Sequence, residues 1–219
     1  MDRRCATGVR RLWGYASGAR HTARMSTPLP LRFLTSAATI DQLPETRVEV
    51  AVIGRSNVGK SSLLNALARH KGIAKVSSSP GRTQLLNCFE VSARATVVDL
   101  PGYGYAKAPA KLRHEWRARM EGYLLERPGL VKALLLIDGE VGPTALDLEM
   151  LAWLRANDVP FQVVATKHDK VKSSKRERRK RDLSTGCGVA PGDVLWVSAE
   201  KNVGIDRLRA AVRDALQLT

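Results

Sequence analysis

The sequence predicts an α/β domain in three layers, a mostly parallel sheet with helices on both faces. Three observations carry this. Short apolar runs of strand length alternate with longer segments whose apolar residues recur at helical spacing. Several of those runs are apolar at consecutive positions, as expected of strands buried on both faces. The chain has 219 residues, 44% of them hydrophobic, which is enough for the core of one such domain.

The elements follow in order. Residues 48–53 are an apolar run ending at Gly54 and read as a buried strand. Residues 59–70 carry Leu63, Leu64, Leu67 and Ala68 at helical spacing. Residues 87–91 and 94–99 read as a strand pair turning near Ser92 and Ala93. A polar helix over 111–126 bears Leu112, Trp116, Met120 and Tyr123, and a strand over 131–138 follows. Residues 145–157 form a helix with Leu148, Leu151, Ala152 and Trp153; Trp116, Tyr123 and Trp153 read as core residues rather than stacking platforms. Strands over 161–167 and 194–198 and a closing helix over 205–218 complete a six-stranded sheet.

In such sheets, ligands bind beyond the C-terminal ends of the strands. After the first strand comes Gly54-Arg55-Ser56-Asn57-Val58-Gly59-Lys60-Ser61, the G-x-x-x-x-G-K-S pattern between a strand and a helix. Backbone N–H groups from Asn57 to Ser62 can wrap a phosphate, and the helix points its positive end at it. Lys60 can bridge β- and γ-phosphates, and the Ser61 hydroxyl can ligate Mg²⁺. The loop alone serves ATP or GTP.

Asp99-Leu100-Pro101-Gly102 follows a strand, so Asp99 can hold the metal's water shell and the Gly102 N–H can meet a γ-phosphate. Thr83, in Pro80-Gly81-Arg82-Thr83, can supply a second hydroxyl to Mg²⁺, although as bare sequence a solvated loop is the stronger reading. Thr166-Lys167-His168-Asp169 follows another strand. A carboxylate at Asp169 accepts from guanine N1–H and N2 together and opposes the bare N1 lone pair of adenine. The stem of Lys167 can cover the base, and the backbone of Ser198-Ala199-Glu200 can meet guanine O6.

With these pieces assembled, residues 33–216 resemble the EngB family of ribosome-biogenesis GTPases. The resemblance rests on GRSNVGKSSLLNAL (54–67), SPGRTQLLNCFEV (79–91), VDLPGYGYA (98–106), TKHDK (166–170) and VSAEKNVGID (197–206). It implies a P-loop GTPase domain with six strands, Mg²⁺, hydrolysis of GTP to GDP and phosphate, and a role in large-subunit assembly and in cell division and septation. It implies nucleotide contacts by Gly54, Arg55, Ser56, Asn57, Val58, Gly59, Lys60, Ser61 and Ser62. Further contacts fall on Gly81, Arg82, Thr83, Gln84 and Leu85, and on Asp99, Leu100, Pro101 and Gly102. The base side comprises Thr166, Lys167, His168 and Asp169 with Val197, Ser198 and Ala199. Lys60, Thr83 and Gly102 then act on the reacting phosphate, and Ser61 and Thr83 ligate the metal.

Two departures stand out. Thr166 occupies a position where most GTPases carry Asn, though this family commonly shows Thr; modest affinity and fast exchange are expected. Glu140 stands where the family usually has a basic residue. Tyr103 follows the switch glycine where Ras-like proteins place a water-orienting Gln, so intrinsic hydrolysis should be slow. Either K⁺ held near Asn57 or the ribosomal partner can compensate; Asn57 reads equally well as a plain turn residue. Two other classes remain: a P-loop ATPase or kinase, disfavoured by Thr166-Lys167-His168-Asp169, and an RNA-binding module with negligible turnover.

Net charge is +15. It is concentrated in residues 1–25, with six arginines and one aspartate, and in residues 170–181, with eight basic residues and one acid. The second tract suggests a short helix capped by Ser174 and facing ribosomal RNA. Residues 1–30 read as a basic extension to a domain over 31–219, with three alternatives open: a misassigned start before Met25, a disordered arm, or a mitochondrial transit peptide with Val9, Leu12, Trp13 and Ala16 on one helical face. Cys5, Cys88 and Cys187 are too scattered for a disulfide or zinc framework. No run approaches a membrane span. A monomer in the bacterial cytoplasm, bound to the large ribosomal subunit or its precursor, is expected.

Overall fold

The computed structural model describes residues 27–74, 85–104 and 110–218. Seven strands form one sheet: β1 (Arg32–Ala37), β2 (Val48–Gly54), β3 (Leu86–Ser92), β4 (Ala95–Asp99), β5 (Leu130–Asp138), β6 (Phe161–Thr166) and β7 (Leu195–Trp196). Their order is β1-β3-β4-β2-β5-β6-β7. From β4 to β7 all neighbours are parallel, whereas β1–β3 and β3–β4 are antiparallel. The fold is the expected α/β sandwich with one strand more than the six expected. β1 escapes sequence reading because it is an edge strand with no alternating apolar pattern, and its pairing with β3 shifts register between Phe33 and Thr35.

The helices are α1 (Lys60–Ala68), α2 (Ala110–Glu126), α3 (Ala145–Ala156), α4 (Arg176–Cys187) and α5 (Ile205–Ala215). Along β2, alternate side chains serve opposite faces. Val50 and Val52 pack with Leu63, Leu64 and Leu67 of α1 and with Ile205, Leu208 and Val212 of α5. Ala51 and Ile53 pack with Met120, Tyr123 and Leu124 of α2, Leu151 and Leu154 of α3, and Leu183 and Cys187 of α4. Tyr123 is core and Trp153 is partly buried against it, as read; the Trp116 side chain lies outside the described residues.

Two buried charges hold the frame that carries the strand ends. Glu49 is fully buried at the start of β2. It accepts from Arg127 Nε at 2.9 Å, from Thr96 Oγ1 at 2.8 Å and from the Tyr123 hydroxyl. Arg209 of α5 is equally buried and donates to the Leu67 and Ala66 carbonyls at 3.0 and 2.6 Å, capping the C-terminus of α1 with positive charge. The basic helix starts later and runs longer than the charge pattern suggests. Ser174 falls in a 3-10 turn, Ser173–Lys175, and α4 begins at Arg176 after Lys175, which makes no side-chain cap bond.

Candidate functional site

β4, β2, β5 and β6 end side by side at Asp99, Gly54, Asp138 and Thr166, at the C-terminal edge of the parallel sheet. Residues 55–59 form the loop from β2 into α1, so Gly54, Arg55, Ser56, Asn57, Val58, Gly59, Lys60, Ser61 and Ser62 are contiguous on strand end, loop and first helical turn. Gly59 is the N-cap of α1 with φ +105, a conformation that L side chains rarely adopt, and a Cβ there would meet nothing. Gly54 is constrained differently: a Cβ would stand 2.9 Å from both the Leu136 carbonyl oxygen and Val58 Cγ1. Asn57 has φ 64, a left-handed position that Asn tolerates well, so the backbone alone accounts for its residue type.

Asp99 is buried, and its Oδ1 has no hydrogen-bond partner. Burial raises its pKa to about 6, opposed by nearby Lys60 and by a hydrogen bond from Asn87. Asn87 in turn accepts the Ser36 hydroxyl of β1 at 2.7 Å, which draws the unforeseen edge strand into the support of the site. An orphaned carboxylate oxygen beside a phosphate-type loop is a group that a cation or its water shell would satisfy. Gly102 lies against the loop: a Cβ would stand 3.0 Å from both Lys60 Nζ and the Ser56 nitrogen. Leu100 and Pro101 are buried, and Leu100 packs in the core. Leu85 is exposed just before β3, while Gly81, Arg82, Thr83 and Gln84 lie outside the described residues.

On the other side, the Thr166 hydroxyl donates to the Val58 carbonyl at 2.7 Å, with the Ile137 carbonyl at 3.2 Å as an alternative acceptor. The phosphate loop and the Thr166–Asp169 segment are thereby joined. Lys167 has φ 54 and pairs through Nζ with Asp138 Oδ2 at 2.7 Å. The His168 N–H donates to the Val197 carbonyl at 3.1 Å, and its ring meets Trp196 edge-on. Burial and the nearby Arg176 and Lys180 keep the imidazole below its ordinary pKa. Ser198, fully buried, donates to Asp169 Oδ1 at 2.6 Å and accepts the Lys201 N–H at 3.0 Å. Burial works to raise the Asp169 pKa, but the Ser198 bond, its own amide, Lys170 and Lys201 hold it below the ordinary carboxylate range. Ala199 follows Ser198 on the turn after β7.

A family profile described as 50S ribosome-binding GTPase matches residues 49–167. The chain is 45% identical over 185 residues to the probable GTP-binding protein EngB of Citrifermentans bemidjiense, covering 84% of this chain and 86% of the relative. It is 40% identical over 198 residues to that of Cereibacter sphaeroides, covering 89% and 91%. The chain belongs to the EngB family of P-loop GTP-binding proteins. A crystal structure of a probable GTP-binding protein engB shares the fold, with a TM-score of 0.64 at 23% identity over 78% of this chain and 100% of that one. Aquifex aeolicus Era bound to GDP·AlF4⁻ gives a TM-score of 0.61 at 25% identity over 77% of this chain and 56% of that chain. Era with MgGDPNP and nucleotides 1506–1542 of 16S ribosomal RNA gives 0.62 at 24% over 79% and 58%.

Within this EngB-family site, three supporting acids and amides were not singled out from sequence: Asn87, Asp138 and Asp147. Asp138 ends β5, so the reasoning that found Asp99 at a strand end could have found it. Asp147 sits in the first turn of α3 and accepts the Thr144 N–H and hydroxyl at 2.9 and 2.8 Å, which in sequence reads as a helix start only. It also accepts the Tyr103 hydroxyl at 2.8 Å. Glu140, the second departure, is exposed beyond β5, and its N–H donates to Asp138 Oδ1 at 2.9 Å.

Proposed function

We propose that this chain is a GTP-driven switch that hydrolyses GTP to GDP and phosphate during assembly of the large ribosomal subunit, and that normal division and septation depend on it. The observation that supports guanine is the Asp169 carboxylate, held ionised by Ser198 on a segment that Thr166 ties to the phosphate loop. Lys60 binds the β- and γ-phosphates, and the backbone from Asn57 to Ser62 wraps the β-phosphate. Ser61 and Thr83 hold Mg²⁺, with Asp99 toward its water shell, and Gly102 presents its N–H to the γ-phosphate. When bound, the metal neutralises charge on the phosphate oxygens. Lys167 covers the base, steadied by Asp138. The first test is competition: GTP must displace a bound fluorescent guanine nucleotide and ATP must not.

The partner reading draws on the family's description and on α4. Arg176 donates to the Val171 carbonyl at 3.1 Å and Arg179 to the Val141 carbonyl at 3.2 Å, so these two are partly engaged by the protein itself. Lys172, Lys175 and Arg181 are exposed without ion pairs among the described residues, and Arg178, paired only at 3.6 Å with Asp182, has a side chain 83% exposed. Within the basic tract over 170–181 these four are the cations most available to ribosomal RNA phosphates. Among the described residues no helix is long and apolar enough to cross a membrane. Co-sedimentation with large subunits in GDP and in a non-hydrolysable GTP analogue tests the reading; equal binding in both removes the switch.

One observation favours a second reading, an RNA-binding module with negligible turnover. The Tyr103 phenol is engaged by Asp147 and supplies no amide to orient water. Single-turnover hydrolysis with and without large subunits separates the two.

A further inference from the structure

We propose that Tyr103 is a positioning residue: its hydroxyl bond to Asp147 latches Gly102 beside Lys60 and so sets the preference for a nucleotide that carries a γ-phosphate. This rests on the GTP reading above and assigns its discrimination to a specific contact.

The segment after β4 is attached to the phosphate loop as a short parallel bridge between Arg55 and Tyr103. The Tyr103 N–H donates to the Gly54 carbonyl at 3.3 Å, and the Ser56 N–H donates to the Tyr103 carbonyl at 2.9 Å. The Ser56 hydroxyl meets the Gly102 carbonyl at 3.4 Å. The first and third of these are long, so by themselves they hold the segment weakly. The side chain adds the strong anchor. Its O–H donates to Asp147 Oδ1 at 2.8 Å, and that carboxylate is only 1% exposed. Asp147 is itself fixed, because Oδ2 takes both Thr144 bonds and Arg55 stands 3.9 Å away. Burial and the Asp147 charge push the Tyr103 pKa far above its usual value, so the phenol stays a donor.

The next residue, Gly104, has φ +77, a conformation that L side chains rarely adopt, so the backbone itself calls for glycine where the segment leaves Tyr103. The side-chain hold on α3 is the Asp147 bond. Between this anchor and Asp99 lies Gly102, within a Cβ's reach of Lys60. A group fixed there before ligand arrives loses little entropy when a γ-phosphate binds. GDP has no γ-phosphate and gains nothing from the arrangement. The hydroxyl therefore contributes to GTP affinity alone, although its bond is to Asp147 and not to the nucleotide.

The test is a pair of affinities for the full chain, measured with fluorescent GDP and a fluorescent non-hydrolysable GTP analogue. Tyr103→Phe keeps the ring and deletes only the donor. We expect the analogue's Kd to rise about tenfold, the scale of a hydrogen bond to a charged acceptor, and the GDP Kd to stay within about twofold. Asp147→Ala, checked for folding by thermal denaturation, should shift the ratio the same way, and the double variant should be no worse than Asp147→Ala because both remove one contact. Where Asp147→Ala fails to fold, Tyr103→Phe decides alone. An unchanged ratio in Tyr103→Phe, or a parallel loss for GDP as a purely structural role would give, overturns the latch. A wild-type chain that binds neither nucleotide overturns the GTP reading and the latch with it.

Discussion

Replacing Ser198 by alanine tests how Asp169, the carboxylate proposed to read the base, is held. Ser198 is fully buried and donates to Asp169 Oδ1 at 2.6 Å while accepting the Lys201 N–H at 3.0 Å. The alanine variant leaves Asp169 with one donor fewer and the Lys201 amide without this partner. A hydrogen bond to a charged group contributes about 1.5–3 kcal/mol, and about 1.4 kcal/mol is tenfold in Kd. The Asp169 side chain is 10% exposed and keeps Lys170 at 3.8 Å, so water and lysine recover part of the loss. The GDP Kd should therefore rise about tenfold, at the lower end of that range. The pH dependence should move as well. Asp169 lies below its ordinary pKa, so guanine affinity is complete above that pKa and falls as pH drops through it. Burial, the largest influence, pushes upward against the Ser198 bond. Deleting the bond raises the pKa, and the acid loss of GDP binding should begin at a higher pH. Titration with fluorescent GDP across the acid range measures both effects. A Kd within about twofold of wild type with an unmoved acid limb would refute pre-orientation by Ser198.

Four further outcomes are expected. Alanine at Lys172, Lys175, Arg178 and Arg181 together should weaken large-subunit binding and flatten its salt dependence in co-sedimentation, with GDP affinity intact. GTP turnover should be faster in K⁺ than in Na⁺, and Asn57→Asp, which the left-handed φ of 64 tolerates, should abolish the difference; equal wild-type rates in the two salts count against a cation site. Glu49→Gln should cost about 3–5 kcal/mol of stability in urea denaturation, because Arg127, whose side chain is only 8% exposed, loses its counter-charge. The Cys88 thiol, pushed up to about 12 by burial and then by Glu49, should react with thiol reagents near neutral pH only as fast as the protein opens, a rate that mass spectrometry can follow.

The parts of the fold legible in the sequence are those where pattern and chemistry coincide. β2, β5 and β6 are apolar on both faces, and each ends at or next to a residue of the site. β1 was not legible, because Arg32–Ala37 shows no apolar alternation and what fixes it is distant: Arg32 pairs with Glu90 at 2.6 Å, and Phe33 meets Phe89 edge-on. The start of α4 was misplaced for a related reason. A run of like charges has no amphipathic stripe to mark its first turn, and that turn is closed by the Arg176 bond to the Val171 carbonyl rather than by a serine cap. In the site, motif residues were legible because phosphate and guanine dictate their spacing. Asp147, Asn87 and Asp138 bond to Tyr103, Asp99 and Lys167, and partners so far apart in sequence leave no local signal.

The two halves of the site are fastened differently, and this bears on the Thr166 departure. The base side is joined to the phosphate loop through one hydroxyl hydrogen, which must be shared between the Val58 carbonyl at 2.7 Å and the Ile137 carbonyl at 3.2 Å. An asparagine amide would offer two hydrogens for the same pair of acceptors. Either acceptor can therefore hold the hydroxyl while the other is released, so the polar tie between loop and β6 can be exchanged by a rotation about one bond while Val58 stays packed in the core. The Gly102 side depends instead on the part-buried Tyr103–Asp147 contact, in which the carboxylate's second oxygen is already taken by Thr144. Loosening Thr166 should then speed the release of GDP and GTP alike, whereas loosening Tyr103 should act on GTP alone. Thr166→Val is the matching experiment: comparable increases in both dissociation rates support this division of labour, and a selective loss of the GTP analogue would overturn it.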